Sequence, residues 1–94
     1  MVKTLSALYL EARRAFLTQE DQQTASLLAR NLLCHITGKS QEAVIADREL
    51  YASEVQCEAM QSAVERILRG EPLLFLRLLR EEFSLCELLY EYRS

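Results

Sequence analysis

The chain has 94 residues, which is enough for one domain and too few for two. Half of the residues are hydrophobic, and only two glycines and one proline are present. This composition argues against β-sandwiches and barrels, which need many tight turns, and favours helices with short connections. The formal net charge of −3 and the scattered basic residues argue against a nucleic-acid-binding protein, because that binding depends on clustered Lys and Arg.

Near the N-terminus, apolar residues recur at the spacing of one helix face and predict a first helix. This stripe consists of Leu5, Leu8, Tyr9, Ala12, Ala15 and Phe16. Thr4 is the predicted N-cap, and the helix is expected to end near Leu17. A second stripe follows, made of Ala25, Leu28, Ala29, Leu32, Leu33 and Ile36. Asp21 or Thr18 is the expected N-cap of this second helix, and Gly38 stands where a left-handed residue ends a helix.

A short third helix is predicted over residues 41–46, after the N-cap residue Ser40. Val44 and Ile45 are expected to supply its apolar contacts. Residues 47–49 are polar and read as a connection. We expect Leu50 and Tyr51, which follow them, to pack back onto the core.

The fourth helix is predicted from a capping box, because Ser53 and Gln56 have the spacing at which each side chain satisfies the other residue's backbone N–H. Its apolar stripe consists of Met60, Ala63, Val64, Ile67 and Leu68. Gly70 is expected to end it.

A last helix is predicted from about residue 72 to residue 90, with Pro72 as its first residue. It is apolar over more than half of its circumference, so it is expected to be wrapped by the bundle or to need a partner. The prediction is therefore a single all-α domain over residues 1–94. We expect a compact bundle of about five helices, with the third short and the last long and strongly apolar.

The three cysteines, Cys34, Cys57 and Cys86, are odd in number, widely spaced and without a Cys-x-x-Cys pair. This pattern is typical neither of a disulfide scaffold nor of a zinc site, so we interpret them as small apolar residues of a reduced, cytoplasmic protein. No signal segment opens the sequence, and no apolar run approaches the roughly 20 residues that span a bilayer, so no membrane partner is expected.

Candidate catalytic chemistry is sparse. His35 is the only histidine, and its neighbour Cys34 is a poor partner because adjacent helical side chains point about 100° apart. We therefore interpret His35 as a structural or surface histidine. The glutamates of the last segment read as a solvated face, with Arg77 and Glu81 spaced as an i,i+4 pair. A small enzyme using Cys34 or Cys86 remains an alternative. No metal or cofactor is expected.

Two stretches resemble the N-terminal helical domain of the PrmC/HemK family of protein-(glutamine-N5) methyltransferases, which modify peptide chain release factors. The first contains Ala29, Leu32, Leu33, His35, Thr37 and Gly38, and the second contains Arg69, Gly70, Glu71, Pro72, Leu73, Phe75 and Leu76. The resemblance covers residues 1–76, and Thr37, Gly38, Gly70, Glu71 and Pro72 are its structural motif residues. Residues 77–94 depart from the family pattern, since Leu78 stands about where the family has a glycine.

The resemblance implies a substrate-recognition domain that is inactive on its own. The family's S-adenosylmethionine-binding domain and its Asn-Pro-Pro-Tyr motif are not among these residues. The implied role is docking of a protein substrate, a release factor, with candidate contacts at Arg13, Arg14, Arg30 and Arg48. The alternative is a stand-alone interaction module, such as a homodimer formed through the apolar C-terminal helix.

Overall fold

The computed structural model describes residues 2–70, which form an all-α unit. Its helices in chain order are α1 (Leu5–Phe16), α2 (Gln22–Thr37), α3 (Gln41–Ala46) and α4 (Glu54–Leu68). Helix type and order are confirmed for these four elements. The predicted long helix over residues 72–90 lies outside the described residues.

Each of the four helices begins at a short polar side chain that accepts a hydrogen bond from a backbone N–H in the first turn. For α2 this cap is Asp21, whose Oδ1 accepts from Thr24 N at 2.7 Å. Thr18, the alternative candidate, instead donates its hydroxyl to the carbonyl of Ala15 at 2.7 Å. The capping box of α4 is confirmed, since Ser53 N donates to Gln56 Oε1 at 2.9 Å and Gln56 N donates to Ser53 Oγ at 3.1 Å.

Two glycines close the helices that they follow. Gly38 has a φ of 71° and donates its N–H to the carbonyl of Cys34, in the left-handed conformation that the sequence predicts. Gly70, just after α4, has a φ of 90°. Both positions favour a residue without a Cβ, because L-side chains clash with the backbone at positive φ.

The core lies where α1, α2 and α4 pack together. The predicted stripe of α2 is confirmed at every position, with each member at most 1% exposed. From α1 the core takes Leu5, Leu8, Ala12 and Phe16, and from α4 it takes Ala59, Met60, Ala63 and Ile67. Asn31 of α2 is also buried, at 2% exposure, although its polarity gave no signal for a core position.

The segment between α3 and α4 runs back along the start of α1. Leu5 N donates to the carbonyl of Leu50, and Ala52 N donates to the carbonyl of Lys3, each at 2.9 Å. Thr4 and Tyr51 form an antiparallel β-bridge, which the helical spacing could not indicate. This pairing fixes the direction of the segment and gives the inward position to Ala52, which is 4% exposed.

Three apolar contacts predicted near this segment are wrong. Leu50 and Tyr51 are 56% and 71% exposed, and Ala52 is the residue of this segment that is buried. The bridge of Tyr51 to Thr4 holds the segment along the start of α1 instead of over the core. Ile45 is 61% exposed, whereas its neighbour Val44 is buried. The helix α3 has only six residues and one face against α2, and adjacent side chains point about 100° apart, so only one of the two can face inward.

Candidate functional site

Arg13 and Arg14 lie in the last turn of α1. The Nε of Arg13 donates to Ser26 Oγ of α2 at 2.9 Å, which places this guanidinium group over the junction of the two helices. Arg14 is exposed on the outer side of α1. Two leucines flank it at helical spacing, Leu10 one turn before and Leu17 three residues after, and they are 51% and 39% exposed.

Arg30 is exposed on α2, one turn after Ser26 and therefore on the same side of that helix. The connection between α1 and α2 is short, so the two helices run antiparallel. Arg30 consequently lies about one helical turn, roughly 5.4 Å along the axis, from the contact between Arg13 and Ser26. The two arginines share the α1–α2 edge.

Arg48 is bonded through its backbone to the start of α1. Ser6 N, in the first turn of α1, donates to the carbonyl of Arg48 at 2.9 Å. Ser6 and Arg13 are seven residues apart, which is nearly two turns, so they share one side of α1 about 10 Å apart along its axis. The exposed guanidinium group of Arg48 donates to the carbonyl of Ile45 at 3.0 Å.

Three of the four arginines singled out from the sequence thus lie on α1 and α2, and the backbone of the fourth, Arg48, is bonded to the first turn of α1. We call Arg13, Arg14, Arg30 and Arg48 the arginine face. Other basic side chains within residues 2–70 form salt bridges. These are Lys3 with Glu11 at 2.7 Å, Lys39 with Asp47 at 2.9 Å and Arg69 with Glu65 at 3.7 Å. The arginine face can therefore meet carboxylates of another molecule without first breaking a pair among the described residues.

Leu10 and Leu17 were missed as candidates by reasoning from the sequence. Both stand off the core stripe of α1, and an exposed leucine on its own is ordinary. Their position beside Arg14 makes the arginine face part cationic and part apolar. Of these residues, arginine is one in which protein interfaces are enriched.

The motif residues within the described range have structural roles. The Thr37 hydroxyl, in the last turn of α2, donates to the carbonyl of Leu33 at 2.8 Å. Gly38 and Gly70 supply the positive φ angles that end α2 and follow α4. Glu71 and Pro72 lie outside the described residues.

Of the candidate catalytic residues, His35 and Cys34 are half-buried near the end of α2, and Cys57 is half-buried in α4. Neither Cys34 nor Cys57 is in a disulfide, and both pack against the core, while Cys86 lies outside the described residues. In the described part of the chain, no group of three or more His, Cys, Asp or Glu side chains is arranged to hold a metal ion. None of the helices α1 to α4 is long and apolar enough to cross a membrane.

A family model described as the PrmC N-terminal domain matches residues 9–76, from within α1 to six residues beyond Gly70. No curated protein and no solved structure matches the chain significantly. The match includes α2, α3 and α4 entirely, as well as the turn at Gly38 and the end of α4 at Gly70.

Proposed function

Because the chain belongs to the PrmC N-terminal domain family, a non-catalytic helical domain of glutamine methyltransferases, we propose that it docks a protein substrate of such an enzyme. The substrate class that we propose is a cytoplasmic peptide chain release factor. The arginine face is the contact surface. The docking domain adds binding energy and orientation at a distance from the reacting glutamine, which is how remote contacts assist an enzyme.

The arrangement of the arginine face carries this proposal. It spans two helices and the segment after α3, and these elements are held together by the Arg13–Ser26 hydrogen bond and the Ser6–Arg48 backbone bond, each 2.9 Å long. A surface built on packed helices keeps its shape on binding and loses little entropy. Arginine suits the role because its planar fork binds carboxylates with two hydrogen bonds and stacks on apolar groups.

Charge reversal tests the proposal. Arg14→Glu and Arg30→Glu change exposed side chains that have no part in the core. Each exchange should cost about 1 kcal/mol of binding free energy or more, which is roughly a fivefold increase in Kd for each variant, since a favourable charge contact becomes a repulsive one. Isothermal titration calorimetry against a class-1 release factor measures the effect.

Arg69→Glu is the matched control for charge reversal. Arg69 is also exposed and cationic, but it stands at the end of α4 and pairs with Glu65 at 3.7 Å. We expect this variant to bind about as well as the parent chain. Equal weakening by all three variants would mean that net charge, and not the arginine face, governs binding, which would contradict the proposed contact surface.

A second candidate function is self-association through the C-terminal segment. The sequence favours it, because residues 72–90 are apolar over more than half of a helical circumference. Sedimentation equilibrium separates the two functions. A dimer that forms at micromolar concentration and is dispersed by replacing Leu76 and Leu79 with glutamate would support it, whereas a monomer at high micromolar concentration would exclude it.

A further inference from the structure

One guanidinium group of the arginine face is oriented by a hydrogen bond between two helices. Nε of Arg13, on α1, donates to Ser26 Oγ, on α2, at 2.9 Å. Arg13 and Ser26 are both half-buried, whereas Arg14 and Arg30 are exposed. The long side chain of Arg13 is therefore held near its end by a short side chain, and the position of that short side chain is fixed by the packed helix α2.

The bond to Ser26 leaves most of the donors of Arg13 available. A guanidinium group has five N–H donors in one plane, one on Nε and four on the two Nη atoms. Ser26 takes the Nε–H, and no salt bridge or second hydrogen bond joins Arg13 to any of the described residues. The edge formed by the two Nη atoms can therefore still give a carboxylate two parallel hydrogen bonds.

The helix α2 does not depend on the hydroxyl group of Ser26. Residue 26 lies inside α2, whose N-cap is Asp21, and it does not belong to the buried core. Alanine has a higher helix propensity than serine at such an interior position. Within residues 2–70, the hydrogen bond that this hydroxyl group makes with another side chain is the one to Arg13.

We propose that Ser26 is a positioning residue, which holds Arg13 so that its two Nη atoms bind an aspartate or glutamate carboxylate of the docked protein. This inference rests on the proposed docking function and names the chemistry of one contact within it. An arginine that is fixed before the partner arrives loses less side-chain entropy on binding. Its planar fork also has a set direction, so it selects a carboxylate that approaches along the Nη edge.

The orientation of Arg13 can be measured in the full chain without a partner. Its Nε–H proton should exchange with water about threefold or more slowly than that of the exposed Arg14, because only the first is hydrogen-bonded. Heteronuclear NMR measures both rates, and Arg13→Lys identifies the signal by removing it. Ser26→Ala should bring the rate of Arg13 to about that of Arg14, whereas Ser26→Thr keeps a hydroxyl group and should keep the exchange slow.

Titration with a class-1 release factor then tests the effect of this orientation on docking. Ser26→Ala should raise Kd about three- to tenfold, which is the cost of ordering one long side chain, and Ser26→Thr should bind within about twofold of the parent chain. Ser62→Ala is the matched control, since Ser62 is a half-buried serine inside α4. Both alanine exchanges raise helix propensity, so neither should unfold the chain. In an Arg13→Ala background, Ser26→Ala should have no further effect on Kd.

The outcomes separate this inference from the docking function on which it rests. Binding by the parent chain that Ser26→Ala leaves unchanged, or that it weakens equally in the Arg13→Ala background, would overturn the positioning role and leave docking in place. Proton exchange at Arg13 that is as fast as at Arg14 in the parent chain would also overturn the positioning role. Absence of binding by the parent chain up to high micromolar concentration would instead overturn docking itself, and the positioning role with it.

Discussion

At Gly38 the backbone leaves α2 in the left-handed region, with a φ of 71°, and the space around a would-be Cβ is empty to 4 Å. A substitution there is therefore opposed by backbone strain alone. Gly38→Ala should destabilise the domain by about 1 kcal/mol, because an L-side chain at this φ clashes with its own backbone. Gly38→Asn should cost less, since asparagine tolerates this conformation best after glycine.

Urea denaturation of the two Gly38 variants measures the difference. If alanine were as stable as glycine at this position, the end of α2 would not have the left-handed conformation described here.

The carboxyl group of Asp21 makes the stability of the domain depend on pH. Hydrogen bonds from Thr24, through its backbone and side chain, lower the pKa of this carboxyl below its ordinary value of 3.8. A lowered pKa in the folded state means that Asp21 contributes stability above pH 3.8, and that this contribution is lost as the pH falls through the folded-state pKa.

The measurement is the free energy of unfolding of the parent chain and of Asp21→Ala at pH 7 and at pH 2.5. The difference between the two proteins should be larger at pH 7 and smaller at pH 2.5. A difference that does not change between the two pH values would show that the charge of Asp21 has no role in capping α2.

At the scale of the element, the start of α4 depends on its capping box. Ser53→Ala removes the acceptor of the 3.1 Å bond from Gln56 N and should cost about 1 kcal/mol of unfolding free energy. Ser40→Ala is the matched control at the start of α3. That helix has only six residues and one buried side chain, so loss of its cap should fray α3 locally and change global stability less.

Hydrogen exchange distinguishes the two cap variants. Ser53→Ala should speed exchange of amides in α1 and α2 as well as α4, because α4 packs on both helices. Faster exchange confined to α4 would contradict this cooperative dependence.

Truncating a buried side chain of α2 should lower the stability of the domain more than removing a helix cap does. Leu32 is fully buried, whereas Leu10 of α1 is 51% exposed. Leu32→Ala should destabilise the domain by about 2–5 kcal/mol, and Leu10→Ala by less than about 0.5 kcal/mol. Thermal unfolding followed by circular dichroism measures both, and similar melting temperatures for the two variants would show that α2 is not central to the core.

The sequence predicted helices better than it predicted the path between them. Apolar residues at helical spacing and the polar N-caps Thr4, Ser40 and Ser53 indicate α1 to α4, because these signals arise within each helix. Leu50 and Tyr51 were misplaced because the path of their segment is set by backbone contacts with the distant residues Lys3, Thr4 and Leu5, which no local pattern encodes.

For the candidate site too, the sequence indicated single residues but not their arrangement in space. The arginines could be named one by one, but their placement depends on the antiparallel packing of α1 and α2 and on the backbone bond between Ser6 and Arg48.

At the scale of the whole molecule, the net charge of −3 does not describe the surface that the proposed docking uses. Arg13, Arg14 and Arg30 lie on the first two helices, and exposed basic side chains raise the local potential that an acidic partner meets.

The measurement that tests substrate docking most directly is a calorimetric titration of the unmodified chain with a class-1 release factor at about 50 and 200 mM salt. The account predicts saturable binding whose Kd rises severalfold at the higher salt, because exposed charge contacts are screened over a Debye length of about 10 Å at 0.1 M. Binding that is absent up to high micromolar concentration, or that is equally tight at both salt concentrations, would contradict docking through the arginine face.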